Sequence, residues 1–315
     1  MTGIGIAVGW DARSGQPLAT LRAMLDGIAA IGFTHAELSA KSLAVACGGT
    51  LLLRRLAALR TALDGVDLRL TVHGTNVSSA RAGNLMDVTT PNQRRVADAD
   101  LALAAAIGAE VLVLHNGSLR DVYLDDDALA LAMAAERDAL RTLGDAARRQ
   151  GIRIAVENID PVGIYLARRA YGLRLDILGE QIARVDHPQV GICLDLGHAW
   201  VAATYAGYDF LPVIRAIAPQ VTHVHLSDNL GRTQLDGEVD LNERLALGDG
   251  DLHLLPGWGT IPLPSVFGIP FAHNPAVILE LRPHFAEHFP EALATTRDLL
   301  ALQSESAVAA GPSVA

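Results

Sequence analysis

Short apolar runs rich in β-branched residues alternate along this chain with longer Ala-, Leu- and Arg-rich stretches of helical period. The runs lie at residues 4–8, 35–39, 68–73, 110–115, 153–157, 190–195, 221–226 and 277–281. Helical patterns fill 18–31, 51–63, 92–107, 128–150 and 173–185, with a last helix expected over 290–302. Strands apolar on both faces and separated by helices form a parallel sheet covered by helices. Eight such units predict an α/β fold, a single (β/α)8 TIM barrel, with an open doubly wound sheet as the alternative. No Pro/Gly/Ser-rich linker divides the sequence, so residues 1–303 read as one domain. The small, polar stretch 304–315 reads as a disordered tail. Two connections, 159–172 and 229–264, are long for a compact domain, where long loops are often functional.

Composition removes several classes of function. Half of the 315 residues are hydrophobic and 19% are charged, which excludes disorder for most of the chain. No apolar run reaches the ~18 uncharged residues that a membrane helix needs. The first residues carry no basic stretch, so a secretory signal is not expected. Two cysteines, Cys47 and Cys193, are too few for a disulfide framework and suit a reducing, cytoplasmic compartment. With 25 basic against 35 acidic residues the net charge is −10, which repels polyanions and argues against a nucleic-acid partner. Lys41 is the single lysine, so a lysine-based phosphate loop or Schiff base has one candidate only.

Ionisable residues fall at telling positions. Five of the runs end in or carry His73, His115, Glu157, Asp195 and His225, and a sixth carries Glu280. Barrel active sites are built at the C-terminal ends of strands, so these six side chains converge on one mouth. All six are potential metal ligands, which packing alone would not supply. His198 follows Asp195 by three residues, where the strand turns outward, and can reach the same cluster. Asp251 and His253 flank a leucine and point the same way if their loop is extended. Mixed imidazole and carboxylate donors suit Zn²⁺, Mn²⁺ or Fe²⁺. His223 shares a face with His225 one layer deeper and reads as a hydrogen-bonded interior residue. His35, His187, His273, His284 and His288 lie at strand starts, in loops or in the last helix and are expected at the surface.

The segments VHGTNVSS, LHNGS, AVENID, VGICLDLGHAW, HVHLSDN, GDLHLLPGWGTI and ILELRP occur in the order seen in the xylose isomerase-like TIM-barrel superfamily. The sequence therefore resembles that superfamily, which includes class II apurinic/apyrimidinic endonucleases, ketose 3-epimerases and many sugar (phosphate) isomerases. The resemblance implies that Glu157, Asp195, His225 and Glu280 form the single-metal site shared by isomerases and epimerases. It implies that His73, His115, His198, Asp251 and His253 match the further ligands with which the endonuclease branch holds three zinc ions. One to three divalent ions, Zn²⁺ or Mn²⁺, are thus expected. The pattern also departs from both branches. Gly74-Thr75-Asn76-Val77 stands where endonucleases carry a DNA-distorting aromatic. Gly163 and Gly231 stand where ketose 3-epimerases carry a second glutamate and an arginine, with Arg232 next to the latter.

Trp10, Trp200 and Trp258 follow strands or the Asp251 loop, and are either core residues or platforms for the apolar face of a sugar. Lys41 and Arg232 are either surface charges or anchors for a phosphate or carboxylate. Two reaction classes follow. In the first, a metal-dependent isomerase or epimerase of a carbohydrate, Glu157 and Glu280 exchange a proton with the substrate and His198 bonds a substrate oxygen. In the second, a multinuclear zinc hydrolase cleaves a small phosphoester rather than DNA. Ala- and Leu-rich outer helical faces permit a homodimer.

Overall fold

The computed structural model describes residues 3–79, 83–115, 126–161, 171–233 and 241–309. Eight strands close into a barrel: β1 (Ile4–Ala7), β2 (His35–Ser39), β3 (Arg69–His73), β4 (Val111–His115), β5 (Arg153–Glu157), β6 (Val190–Asp195), β7 (Val221–Leu226) and β8 (Ala276–Leu279). Each pairs in parallel with its sequence neighbours, and β1 pairs with β8. Closure removes the doubly wound alternative.

The helices are α1 (Leu18–Ile31), α2 (Leu53–Leu63), α3 (Pro91–Ala106), α4 (Asp126–Gln150), α5 (Leu175–Val185), α6 (Leu196–Ala206), α7 (Phe210–Ile217) and α8 (Phe289–Ala309), with shorter turns between. Helix α1 shows why they wrap the sheet: Leu21, Leu25 and Ile28 recur at helical spacing and are buried. It stops at Gly32, whose left-handed φ of 104° lets its N–H cap the Ala29 and Ile28 carbonyls. The main core lies between helices and strands, and inside the barrel Val111, Val113, Ala155 and Cys193 form a smaller apolar cluster.

Three expectations need correction. Helix α8 runs to Ala309, so the segment read as a tail from 304 begins within a helix, and 310–315 lie outside the described residues. His35, expected at the surface, is 3% exposed, and its Nδ1 lies 2.8 Å from the Thr34 hydroxyl. Glu280 sits one residue past β8, although its N–H still donates to the Leu226 carbonyl at 3.1 Å. Two small antiparallel ribbons, Ala46–Cys47 with Thr50–Leu51 and Val77–Ser79 with Gly83–Leu85, were not expected. Of the long connections, 162–170 and 234–240 lie outside the described residues. The remainder of the second holds a short helix, Leu241–Leu247, and a bridge between Asp228 and Leu254. No helix among the described residues is long and apolar enough to cross a membrane.

Candidate metal centre

Register brings the strand ends together. His115 on β4 pairs with Glu157 on β5, and Asp195 on β6 pairs with His225 on β7. Glu157 is the hub, 1% exposed. Its Oε2 lies 3.2 Å from His73 Nε2 and 3.1 Å from His115 Nε2. Its Oε1 lies 3.2 Å from His225 Nδ1 and 3.6 Å from His198 Nδ1. His225 Nδ1 in turn lies 3.5 Å from Glu280 Oε1 and 3.9 Å from Asp195 Oδ2. One donor atom from each of Glu157, Asp195, His225 and Glu280 falls within 4.8 Å of all the others, and so do those of His73, His115 and Glu157. Glu157 therefore belongs to two adjoining ligand sets.

A third set adjoins them. Asp195 caps α6, its Oδ1 accepting the His198 N–H at 2.7 Å, and this sets His198 on the first turn facing the mouth. His198 Nε2 is 3.6 Å from Asp251 Oδ2, which also contacts His253 Nε2. His253 adopts a left-handed φ of 50°, uncommon for a residue with a Cβ, while its Nδ1 lies 2.8 Å from the Glu280 carbonyl. The loop bearing Asp251 and His253 is fastened by buried Asp228. Its Oδ1 accepts the N–H of Asn229 at 2.9 Å and of Ile261 at 3.2 Å, and its Oδ2 accepts that of Gly257 at 2.9 Å. Asp228 and Leu254 exchange two backbone hydrogen bonds of 2.9 Å. A Cβ at Gly259 would collide with the Asp228 carboxylate and the Asn229 carbonyl.

The buried carboxylates and imidazoles shift one another. Burial works against the charge of Glu157, but the imidazoles of His115 and His225 outweigh it and hold this carboxyl well below its ordinary range. Burial pushes Asp195 up to about 7 despite the nearby His198, with Asp251, Glu280 and Glu157 adding to the rise. Burial also opposes charge on His73, yet Glu157 raises it to about 9. The same contest at His253 is won by Asp251, again at about 9. Asp195 Oδ2 is buried and makes no hydrogen bond among the described residues. A carboxylate oxygen left so, among other carboxylates and imidazoles, fits a divalent cation. Cys193, within reach of Glu157 and His225, is pushed well above the ordinary thiol range by burial, so it stays protonated.

All nine residues expected as ligands thus stand at the mouth. The expected substrate contacts do not behave alike. Trp10 is 3% exposed in the main core and its indole N–H donates to the Pro17 carbonyl at 3.3 Å, so it is a packing residue. Trp200 packs on Phe210 and donates to the Thr260 hydroxyl at 3.0 Å. Arg232 spends its guanidinium on the Leu247 carbonyl at 3.1 Å, tying down its own loop. Lys41 lies on the short helix Ala40–Leu43 directly after β2. Trp258 remains 41% exposed, its ring against Phe285 and His288.

Three further residues belong to the site. Asn158 donates to the Asp195 carbonyl at 3.0 Å and accepts the Asp195 N–H at 2.9 Å, locking β5 to β6 at the rim. Asp228 fastens the ligand-bearing loop. Glu37 lies beneath the centre, touching His223 and His225. An acidic residue within the run HAELS was the available signal for Glu37; the other two act on distant backbone and leave no pattern in sequence.

Residues 25–299 match the family model described as xylose isomerase-like TIM barrel. The uncharacterized protein MJ1311 of Methanocaldococcus jannaschii is 25% identical over 152 residues, 48% of this chain and 46% of that protein, so this chain matches less than half of the length of that curated relative. Among solved structures, a D-tagatose 3-epimerase-like protein superposes with a TM-score of 0.64 at 19% identity, covering 97% of this chain and 99% of that one. D-psicose 3-epimerase from Clostridium cellulolyticum H10, solved with D-tagatose, gives 0.66 at 16%, covering 95% and 99%. The 3-keto-D-glucoside 4-epimerase YcjR from E. coli gives 0.62 at 16%, covering 95% and 100%. At these identities the likeness shows a shared barrel.

Proposed function

The chain belongs to the xylose isomerase-like TIM-barrel family, and from that premise we propose that it is a divalent-metal-dependent isomerase or epimerase of a carbohydrate. One observation carries the reading: Glu157 at the end of β5 and Glu280 just past β8 approach the same imidazole nitrogen of His225 at 3.2 and 3.5 Å, with Asp195 beside them. Glu157, Asp195, His225 and Glu280 would hold the ion, Zn²⁺ or Mn²⁺. When bound, a divalent cation polarises a carbonyl and acidifies the adjacent C–H. Glu157 is buried, whereas the Glu280 side chain keeps 15% of its surface exposed. They would take up and return the proton, a role that carboxylates fill when held within hydrogen-bond reach of the carbon acid. His198, its Nδ1 engaged 2.9 Å from the Asn158 carbonyl, keeps Nε2 towards Asp251 and the mouth, where it can meet a substrate oxygen. Trp258 offers an exposed ring for a sugar's apolar face. The epimerases among the similar solved barrels support the same substrate class.

The test is solvent exchange. The protein, loaded with Zn²⁺ or Mn²⁺, is incubated in D₂O with a panel of free and phosphorylated aldoses and ketoses. Metal-dependent deuterium incorporation next to the carbonyl is expected. Its absence across the panel with both ions would overturn the proposal. A second reading, a multinuclear zinc hydrolase of small phosphoesters, is favoured by one observation: the His73–His115–Glu157 and His198–Asp251–His253 sets flank the four-residue centre. Three tightly held zinc ions together with phosphatase activity would favour it.

A further inference from the structure

Beneath the candidate ion site the barrel interior is not apolar throughout. Glu37 on β2 is 2% exposed, and Thr71 on β3 and His223 on β7 are equally buried. Elsewhere at this depth the barrel is filled by Val113, Ala155 and Cys193. The carboxylate is oriented: its Oε2 accepts from the Thr71 hydroxyl at 2.9 Å and lies 3.0 Å from His223 Nε2. Its Oε1 and His225 Nε2 face each other at 3.0 Å, and neither atom has another hydrogen-bond partner among the described residues. The other nitrogen of that ring, Nδ1, points to Glu157, Glu280 and Asp195.

We propose that Glu37 is a positioning residue that fixes the ring and tautomer of His225, holding the proton on Nε2 so that Nδ1 presents its lone pair to the ion site. Thr71 and His223 occupy one carboxylate oxygen and reserve the other for His225. A buried carboxylate is a poor device for stability, since desolvation offsets most of what its partners return. As the outer partner of a metal-binding imidazole it has a purpose, because such a partner sets the tautomer and raises the basicity of the ligating nitrogen. The inference rests on Glu157, Asp195, His225 and Glu280 being the cation site.

The experiment compares wild type, Glu37→Gln and Thr71→Val, each first stripped of metal. Zn²⁺ and Mn²⁺ affinities are read by competition with a chromophoric chelator. The Nε2–H of His225 is read in the Zn²⁺-loaded proteins by its ¹H and ¹⁵N imidazole shifts. Loss of roughly 10- to 100-fold in affinity is expected for Glu37→Gln, with the Nε2–H signal of His225 shifting as its charged acceptor is lost. Thr71→Val should show a smaller loss and a smaller shift in the same direction. Unchanged affinity and Nε2–H shift in a folded Glu37→Gln would overturn the inference alone. If that variant does not fold, unchanged affinity and shift in Thr71→Val would do so. Wild type that binds neither ion would overturn the cation site, and this inference with it.

Discussion

At Glu157 one carboxylate meets four imidazoles and serves two ligand sets, so its charge matters more than its volume. Glu157→Gln preserves shape and removes that charge. Turnover, or deuterium exchange, should fall about 10²–10⁴-fold. The metal-free protein should also lose stability, on the order of 3 kcal/mol, because the buried imidazoles lose their counter-charge, and a denaturation curve measures this. Activity above a tenth of wild type would contradict the role given to Glu157. The titrating groups around it also set a pH dependence. His73 and His253, held up at about 9, carry protons at neutral pH, and burial pushes Asp195 up to about 7. An ion must displace those protons, so affinity should weaken as pH falls from 9 to 6 and loading near pH 7.5 should release protons. Calorimetric titration in two buffers of different ionisation enthalpy measures the number released; a value of zero would contradict the ligand assignment.

Among the elements, the barrel strands and the loop after β7 hold their ligands by different means. The loop depends on Asp228, whose three backbone hydrogen bonds are charge-assisted. Asp228→Ala should cost on the order of 2–3 kcal/mol, because buried N–H groups lose their acceptor. It should also weaken ion binding at His198, Asp251 and His253 more than at the four-residue centre. Metal stoichiometry by elemental analysis, with a denaturation curve, checks both; an unchanged ion count with three ions in wild type would refute the division. The same contrast explains what could be read in sequence. Strands β3 to β6 each end in one ionisable residue and β7 carries one next to its end, so His73, His115, Glu157, Asp195 and His225 are legible by position. Asp228 and Asn158 bond to backbone groups about 30 to 40 residues away, and backbone is the same in every sequence. The two ribbons are too short to show a period. Trp10 looked like a rim aromatic because a strand end and a core entrance are adjacent along the chain, and only packing separates them.

For the molecule as a whole, a bound ion is a ligand of the folded state alone. Chelation should therefore lower the thermal midpoint, and at an ion concentration 100 times Kd the lost stabilisation is ~2.7 kcal/mol. Restoring zinc or manganese should restore it; indifference to chelator would count against a resident ion. Net charge of −10, with Asn76 and Val77 where an aromatic wedge would stand, leaves little to hold or bend a duplex. Abasic DNA should remain intact at nanomolar protein and physiological salt, and metal-dependent nicking in a gel assay would refute this. The 251–261 segment is held at several points, among them the Asp228 carboxylate, the Asp228–Leu254 backbone pair and the Glu280 carbonyl, all outside the ladders that close the barrel. The strand-end groups are wired into those ladders, whereas Asp251 and His253 sit on a loop whose own sequence can vary while its anchors are kept. A loop graft that keeps Asp228 should therefore change the donors at the mouth and leave the barrel folded.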